Sequence, residues 1–241
     1  AWVSCAPLAQ TALAYLPCDY GDGLVHENGR GLNHIALFIP LDGPGVSKGK
    51  PLDKLGQRAL PQGEVFFNDV RVPRKYVLAE QEEAATSFFS TLTFANMEMA
   101  ATFTGVARAA FDLALAYVHE RKQGGTAIIN HQSVQMRTFN LWQKVETARA
   151  VTQRVFDYNY STSGPHLLGS VTSKTFVTDT AFEVASEALQ LFGGNGLTRE
   201  YPIEKIMRDA RASMIEDGEN NILKLKGMRW LSKAYQHSNP G

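Results

Sequence analysis

The chain has 241 residues, 44% hydrophobic and 20% charged, the composition of a folded protein with a sizeable core. Its 24 Lys and Arg balance 24 Asp and Glu, so bulk charge does not drive binding to nucleic acid or to a membrane surface. The two cysteines, Cys5 and Cys18, have no metal-ligand spacing and fit a reduced, cytoplasmic setting.

No apolar run approaches the roughly 18 residues of a membrane span, and no charged n-region precedes an apolar segment. The chain opens on "AWVSCAPLAQ" without an initiator Met, so the reading expects a piece or processed form of something longer.

The first eighty residues read as strands and turns. "TALAYLP" (11–17) predicts a strand, and the polar "CDYGDGLVHENGRG" predicts a hairpin connection or loop. "HIALFIPL" (34–41) is a second β-rich run, closed by Asp42-Gly43-Pro44-Gly45. "GEVFFNDVRVP" (63–73) alternates as far as Asp69 and stops at Pro73, predicting a third strand.

From about Ala84 the pattern changes to long helices. "FANMEMAATFTGVARAAFDLALAYVHERK" is apolar on nearly every face, which predicts burial by neighbours, and Gly124-Gly125 should end it. A second helix is expected over 131–160, broken by Ser163-Gly164-Pro165, and a third over 166–192. In the third, Val177, Ala181, Val184, Ala185, Ala188 and Leu189 form a helical stripe. Gly193-Gly194-Asn195-Gly196 should terminate it. Pro202 opens a short helix over 203–212, and a last one spans about 218–234. The fold expectation is α+β: a β-sheet or barrel-like portion over 1–82, then a four-helix bundle over 83–241.

Three carboxylates, Glu216, Asp217 and Glu219, crowd around Gly218 where the last helix begins. Acids at a helix start need only the helix dipole to explain them; a proton-abstracting base also needs a carboxylate. Arg208 and Asp209, with Glu204 and Lys205, read as a solvated, ion-paired helix face.

Four stretches together carry a resemblance: "AWVS", "GKPLDKLGQRALPQGEVFFNDVRVP", "HERKQGGTAIINHQSVQ" and "ALQLFGGNGLTREYPIEKIMRDAR". In this order they resemble the flavin-dependent acyl-CoA dehydrogenase family, from the second part of its β-domain through its C-terminal helical domain. The resemblance covers essentially the whole chain. It implies an FAD-dependent α,β-dehydrogenation of an acyl-CoA thioester, with electron-transfer flavoprotein as acceptor. It also implies a homotetramer, a dimer of dimers, in the cytoplasm or, in a eukaryote, the mitochondrial matrix. The family's missing N-terminal half would come from a longer chain or a separate one.

The family's site residues map onto this sequence as follows. Trp2 falls where an aromatic packs on the isoalloxazine, and Ser4 where a hydroxyl meets the flavin near its reactive nitrogen. Arg121 matches the arginine that binds the flavin pyrophosphate of a partner subunit, a role suited to a guanidinium fork. Gln123 and Gln132 stand at neighbouring flavin contacts, although the family more often has a hydroxyl or small residue at 123. Gln190, Gly193 and Gly194 match the loop approaching the adenine and pyrophosphate side, while a glycine loop alone needs only a helix cap to explain it. His119 and His131 flank the Gly124-Gly125 turn and read as surface caps or flavin neighbours.

The family's commonest base is the Glu of "YEGT". Its register places that base at Asp217, with Glu216 at the Tyr position and Glu219 at the Thr position. Glu216 is the alternative base if the loop shifts by one residue. Glu219 and Asn221 are carried over as flavin-side contacts. Many members place an arginine on the long helix where Asn96 stands, making Asn96 the candidate substrate contact. An Asp base also resembles nitroalkane oxidase, whose "DGGN" loop is similar to Asp217-Gly218-Glu219-Asn220. That relative's arginine and serine appear here as Lys224 and Ala95. A helical oligomerisation module without chemistry is the third reading. No metal site is expected.

Overall fold

The computed structural model describes residues 2–24, 33–161 and 166–238. They form two compact units, Ala1–Thr91 and Leu92–Gly241. In the first unit, β1 (Val3–Ser4) pairs antiparallel with β5 (Gln62–Gly63). The longest ladder joins β2 (Thr11–Cys18) to β3 (Asn33–Pro40), Thr11 opposite Pro40 through Cys18 opposite Asn33. β3 also pairs with β7 (Val77–Glu80), and β4 (Val46–Lys48) pairs with β6 (Val65–Phe67).

The two strands expected near 11 and 34 therefore form an antiparallel hairpin. Positions 25–32 of its connection lie outside the described residues. The strand expected over 63–73 is only β5 and β6, interrupted at Glu64. Asp69 takes a left-handed φ of 51°, which no ladder residue adopts, so pairing stops before Pro73. The β-portion is a three-stranded sheet with two short ladders; no closed barrel forms among the described residues, because two- and three-residue strands cannot close one.

The sheet has a small core of Ala36, Ala79 and Ala84, with Tyr15 packed against it. Ala84 belongs to the first turn of α1 (Gln81–Glu120). The Tyr15 hydroxyl lies 3.2 Å from both Ser87 Oγ and Thr91 Oγ1, and its ring meets Phe88 edge-on.

The second unit contains the rest of α1, then α2 (Gln132–Ser161), α3 (Leu167–Phe192), α4 (Ile203–Ala212) and α5 (Asn220–Ser238). α3 packs on α2, α4 and α5. Its predicted stripe is the packing face: Val177, Ala181, Val184, Ala185 and Ala188 are all fully buried, and Leu189 packs partly buried beside them. Ala100, Ala107, Ala110 and Ala114 of α1 enter the same core, small side chains that admit close helix approach. Contrary to the sequence expectation, α1 is long and apolar enough to cross a bilayer, but core helices share that property and these residues fill the core of this unit.

Gly124-Gly125 do not cap α1, which ends at Glu120. They form the two-residue loop between β8 (Lys122–Gln123) and β9 (Thr126–Ala127), both with positive φ, as a tight hairpin requires. The expected break at 163–165 lies outside the described residues. On α4 the charges pair as Arg208 with Glu204 at 2.7 Å and Lys205 with Asp209, half-buried rather than fully solvated on the Arg208 side. The Arg208 hydrogen bond holds the Glu204 carboxyl below its ordinary value.

Candidate active site

The acid loop begins where α4 runs out. The amides of Ile215 and Glu216 still bond back to the Ala212 carbonyl, at 2.9 and 3.2 Å. The chain then reverses through two left-handed residues, Asp217 (φ 50°) and Gly218 (φ 105°). Gly218 is obligatory: a Cβ there would lie 2.9 Å from Leu223 Cδ2. Asp is among the residues that tolerate the left-handed region, which suits position 217.

The three carboxylates now separate. Glu219 is the N-cap of α5: its Oε2 accepts the Ile222 amide at 3.0 Å and its Oε1 accepts Asn221 Nδ2 at 2.9 Å. Hydrogen bonds from Asn221 and Ile222 hold its carboxyl below the ordinary value. Both residues carried over as flavin-side contacts, Glu219 and Asn221, are thus engaged with each other at the helix start. Asp217 is exposed and Glu216 half-buried.

Beneath the loop lies a residue absent from the sequence reading. Lys174 of α3 is fully buried, and its Nζ donates to Gly218 O at 2.7 Å and to Asn220 Oδ1 at 2.8 Å. Asn220 Nδ2 in turn donates to Thr178 Oγ1 and Asp179 Oδ1, at 2.9 and 2.7 Å. Lys224 closes the network on Asp179 Oδ2 at 2.6 Å. Burial pushes the Lys174 ammonium down to about 8, against the opposing pull of Asp217, Asp179, Glu216 and Glu219. The signal was present in the sequence: Lys174 sits three and seven residues before Val177 and Ala181, on the buried stripe itself.

A second cluster gathers around Tyr117. Its ring stacks on Phe192 with centroids 4.0 Å apart, its hydroxyl donates to Phe192 O at 3.2 Å, and Asn195 Nδ2 donates to that hydroxyl at 3.0 Å. The Tyr117 carbonyl accepts the Arg121 amide at 2.8 Å. One tyrosine thereby ties the glycine loop to the end of α1. Arg121, Gln123, Gln132 and Gln190 are exposed, and no ion pair involves Arg121 among the described residues. His131 Nε2 lies 3.1 Å from the Gln123 carbonyl, bracing the hairpin.

Gly193 caps α3 with φ 59° and its amide on Gln190 O, as a helix cap requires. Gly196 faces Leu189 O, 2.6 Å from where its Cβ would stand, so packing demands it. Gly194 has neither constraint. A Cβ there meets nothing within 4 Å, leaving open space over its backbone.

Trp2 and Ser4 belong to the first unit. Trp2 is 67% exposed, and Ser4 Oγ accepts Gln62 Nε2 at 3.1 Å, which leaves its own O–H to donate elsewhere. Asn96 is fully buried in the second unit. Its Nδ2 donates to Leu92 O on its own helix, and its Oδ1 has no partner among the described residues.

The family model "Acyl-CoA dehydrogenase, C-terminal domain" matches residues 86–232, more than half of the chain. The chain belongs to the acyl-CoA dehydrogenase family. It is 31% identical over 236 residues to the probable acyl-CoA dehydrogenase YngJ of Bacillus subtilis, covering 96% of this chain and 59% of that one. Among solved structures, butyryl-CoA dehydrogenase from Megasphaera elsdenii superposes with a TM-score of 0.84 at 26% identity, over 95% of this chain and 57% of that one. A structure described as an electron transferring flavoprotein of Acidaminococcus fermentans superposes with a TM-score of 0.83 at 29% identity, over 95% and 58%. The chain thus spans little more than half the length of these acyl-CoA dehydrogenase relatives.

Proposed function

We propose that this chain carries the base and much of the flavin site of an FAD-dependent acyl-CoA dehydrogenase, with Asp217 as base. The observation that carries the reading is the left-handed Asp217-Gly218 turn. It leaves the Asp217 carboxylate exposed, at the position to which the resemblance assigns the base, while Glu219 is spent on capping α5, and this supports the reading. In the reaction, the Asp217 carboxylate takes the α-proton of the thioester as the α,β double bond forms. FAD, when bound, supplies the acceptor for the β-hydrogen and its electron pair.

The chain's donor set fits such a group. In the second unit, Arg121 offers a pyrophosphate an exposed guanidinium with no ion pair among the described residues, and Gly194 leaves its backbone open to close approach; in the first unit, taken by itself, Ser4 keeps a hydroxyl proton to donate. Gln123, Gln132 and Gln190 add exposed amides in the second unit, and the first unit has in Trp2 an exposed ring that can pack on a planar one. Electron-transfer flavoprotein is the proposed acceptor. Exposed Ile222, Leu225, Met228, Leu231 and Tyr235 on α5 suit burial in a homotetramer, a dimer of dimers. Both cysteines are free thiols, as suits the cytoplasm or the mitochondrial matrix.

The oxidase reading loses support from Lys224, since the cation that would replace that relative's arginine is engaged by Asp179. Anaerobic titration of the full-length, flavin-loaded protein tests the proposal. An acyl-CoA should bleach the flavin and Asp217→Asn should abolish the bleaching with flavin retained. Peroxide release from nitroethane, with no response to any acyl-CoA, would select the oxidase instead.

A further inference from the structure

A lysine buried without exposure is costly, and an apolar side chain of the same length would ordinarily pack better. The contacts of Lys174 show where its ammonium is directed. It does not ion-pair on a surface; it grips, at 2.7 Å, the carbonyl of Gly218, the residue immediately after Asp217. Its second bond, at 2.8 Å, is to Asn220, the first residue of α5. Both residues of the reversal, Asp217 and Gly218, hold the left-handed backbone that side chains rarely adopt. A turn of that kind persists only where its surroundings over-determine it.

We propose that Lys174 is the positioning residue of the base loop: from inside α3 its ammonium locks the Gly218 peptide, and so the direction in which Asp217 projects. The inference rests on Asp217 being the base. The remainder of the network supports this geometry. Thr178 and Asp179, four and five residues along α3 from Lys174, orient the Asn220 amide so that its oxygen faces the ammonium. Lys224 holds Asp179 from α5. The loop is therefore anchored to α3 at Gly218 and at Asn220, on either side of the Glu219 cap. The charged groups acting on Lys174 are Asp217, Glu216 and Glu219 from the loop and Asp179 from α3, with Lys224 of α5 on the far oxygen of Asp179.

The test uses the full-length, flavin-loaded protein and its Lys174→Met and Asn220→Ala variants, the second removing one anchor with the lysine left in place. Two quantities are read: the rate of anaerobic flavin reduction by saturating acyl-CoA, and amide hydrogen exchange over residues 214–223. In Lys174→Met the reduction rate should fall by about a hundredfold, the scale of a misplaced reacting group. Acyl-CoA affinity should stay within about threefold, and exchange should accelerate in the loop but not in α4. Asn220→Ala should show the same pattern more weakly, and carries the test if Lys174→Met does not fold. Unchanged loop exchange in either folded variant, or a reduction rate within threefold of the parent in Lys174→Met, overturns the proposal. The exchange arm is independent of the base's identity: if Asp217→Asn still reduces normally, the base assignment fails while loop anchoring is still read directly.

Discussion

Lys174→Met takes a charge out of the helical core while keeping most of the side chain's length. The fall of this ammonium from 10.5 to about 8 corresponds to about 3 kcal/mol, at roughly 1.4 kcal/mol per pH unit. Because the folded value lies below the unfolded one, the unfolded chain binds more protons between these limits. The parent's stability should therefore rise as pH increases from 8 towards 10.5, and the charge-burial penalty should be fully present below 8. Met does not titrate, so the variant should lack this component. Losing the bonds to Gly218 O and Asn220 Oδ1 costs about 1–3 kcal/mol for each acceptor left unsatisfied, an offset that does not vary with pH. Urea denaturation of both proteins at several pH values, followed by helical circular dichroism, isolates the slope, because titrations shared by the two cancel in the difference. The parent should gain about 3 kcal/mol on the variant across that window. Parallel stability curves would refute the reasoning, since they would mean Lys174 titrates as an exposed lysine does.

Three further outcomes follow from the loops. Gly218→Ala meets both a positive φ and a 2.9 Å approach to Leu223, and should cost about 2–4 kcal/mol in denaturant unfolding. Glu219→Ala should lower Tm at neutral pH by removing the cap of α5. That deficit should disappear as pH falls through the folded value below 4.5, because the parent's carboxyl is then protonated as well. Tyr117→Phe should cost about 1 kcal/mol, by loss of the bonds to Phe192 O and Asn195, and should speed amide exchange in the 193–197 loop.

The helices were legible in the sequence because their apolar periodicity is also their packing: the α3 stripe from Val177 to Ala188 is buried residue by residue. The β-portion was less legible. A left-handed Asp69 ends a pattern that alternation would have continued, and the two-residue strands β1 and β5 carry too few positions to show a period. Gly124-Gly125 were misplaced because a glycine pair after a helix serves equally as a cap or a hairpin turn; only the pairing of Lys122–Gln123 with Thr126–Ala127 decides. At the site, composition showed three acids around a glycine without distinguishing them. Their roles depend on which side of the left-handed turn each falls, and Glu219 emerges as a cap because its carboxylate reaches the Ile222 amide. The burial of Lys174 is legible from its place on the stripe, but its role is not, because its partner is a backbone carbonyl 44 residues away, which no side-chain motif encodes.

The central claim is that Asp217 removes the substrate proton. Stopped-flow, anaerobic reduction of the full-length flavoprotein by an acyl-CoA, comparing the parent with Asp217→Asn, tests it most directly. The account predicts that the variant binds flavin and acyl-CoA as the parent does and reduces at least about a hundredfold more slowly, the loss expected of a positioned general base. Reduction of Asp217→Asn at the parent's rate would contradict it.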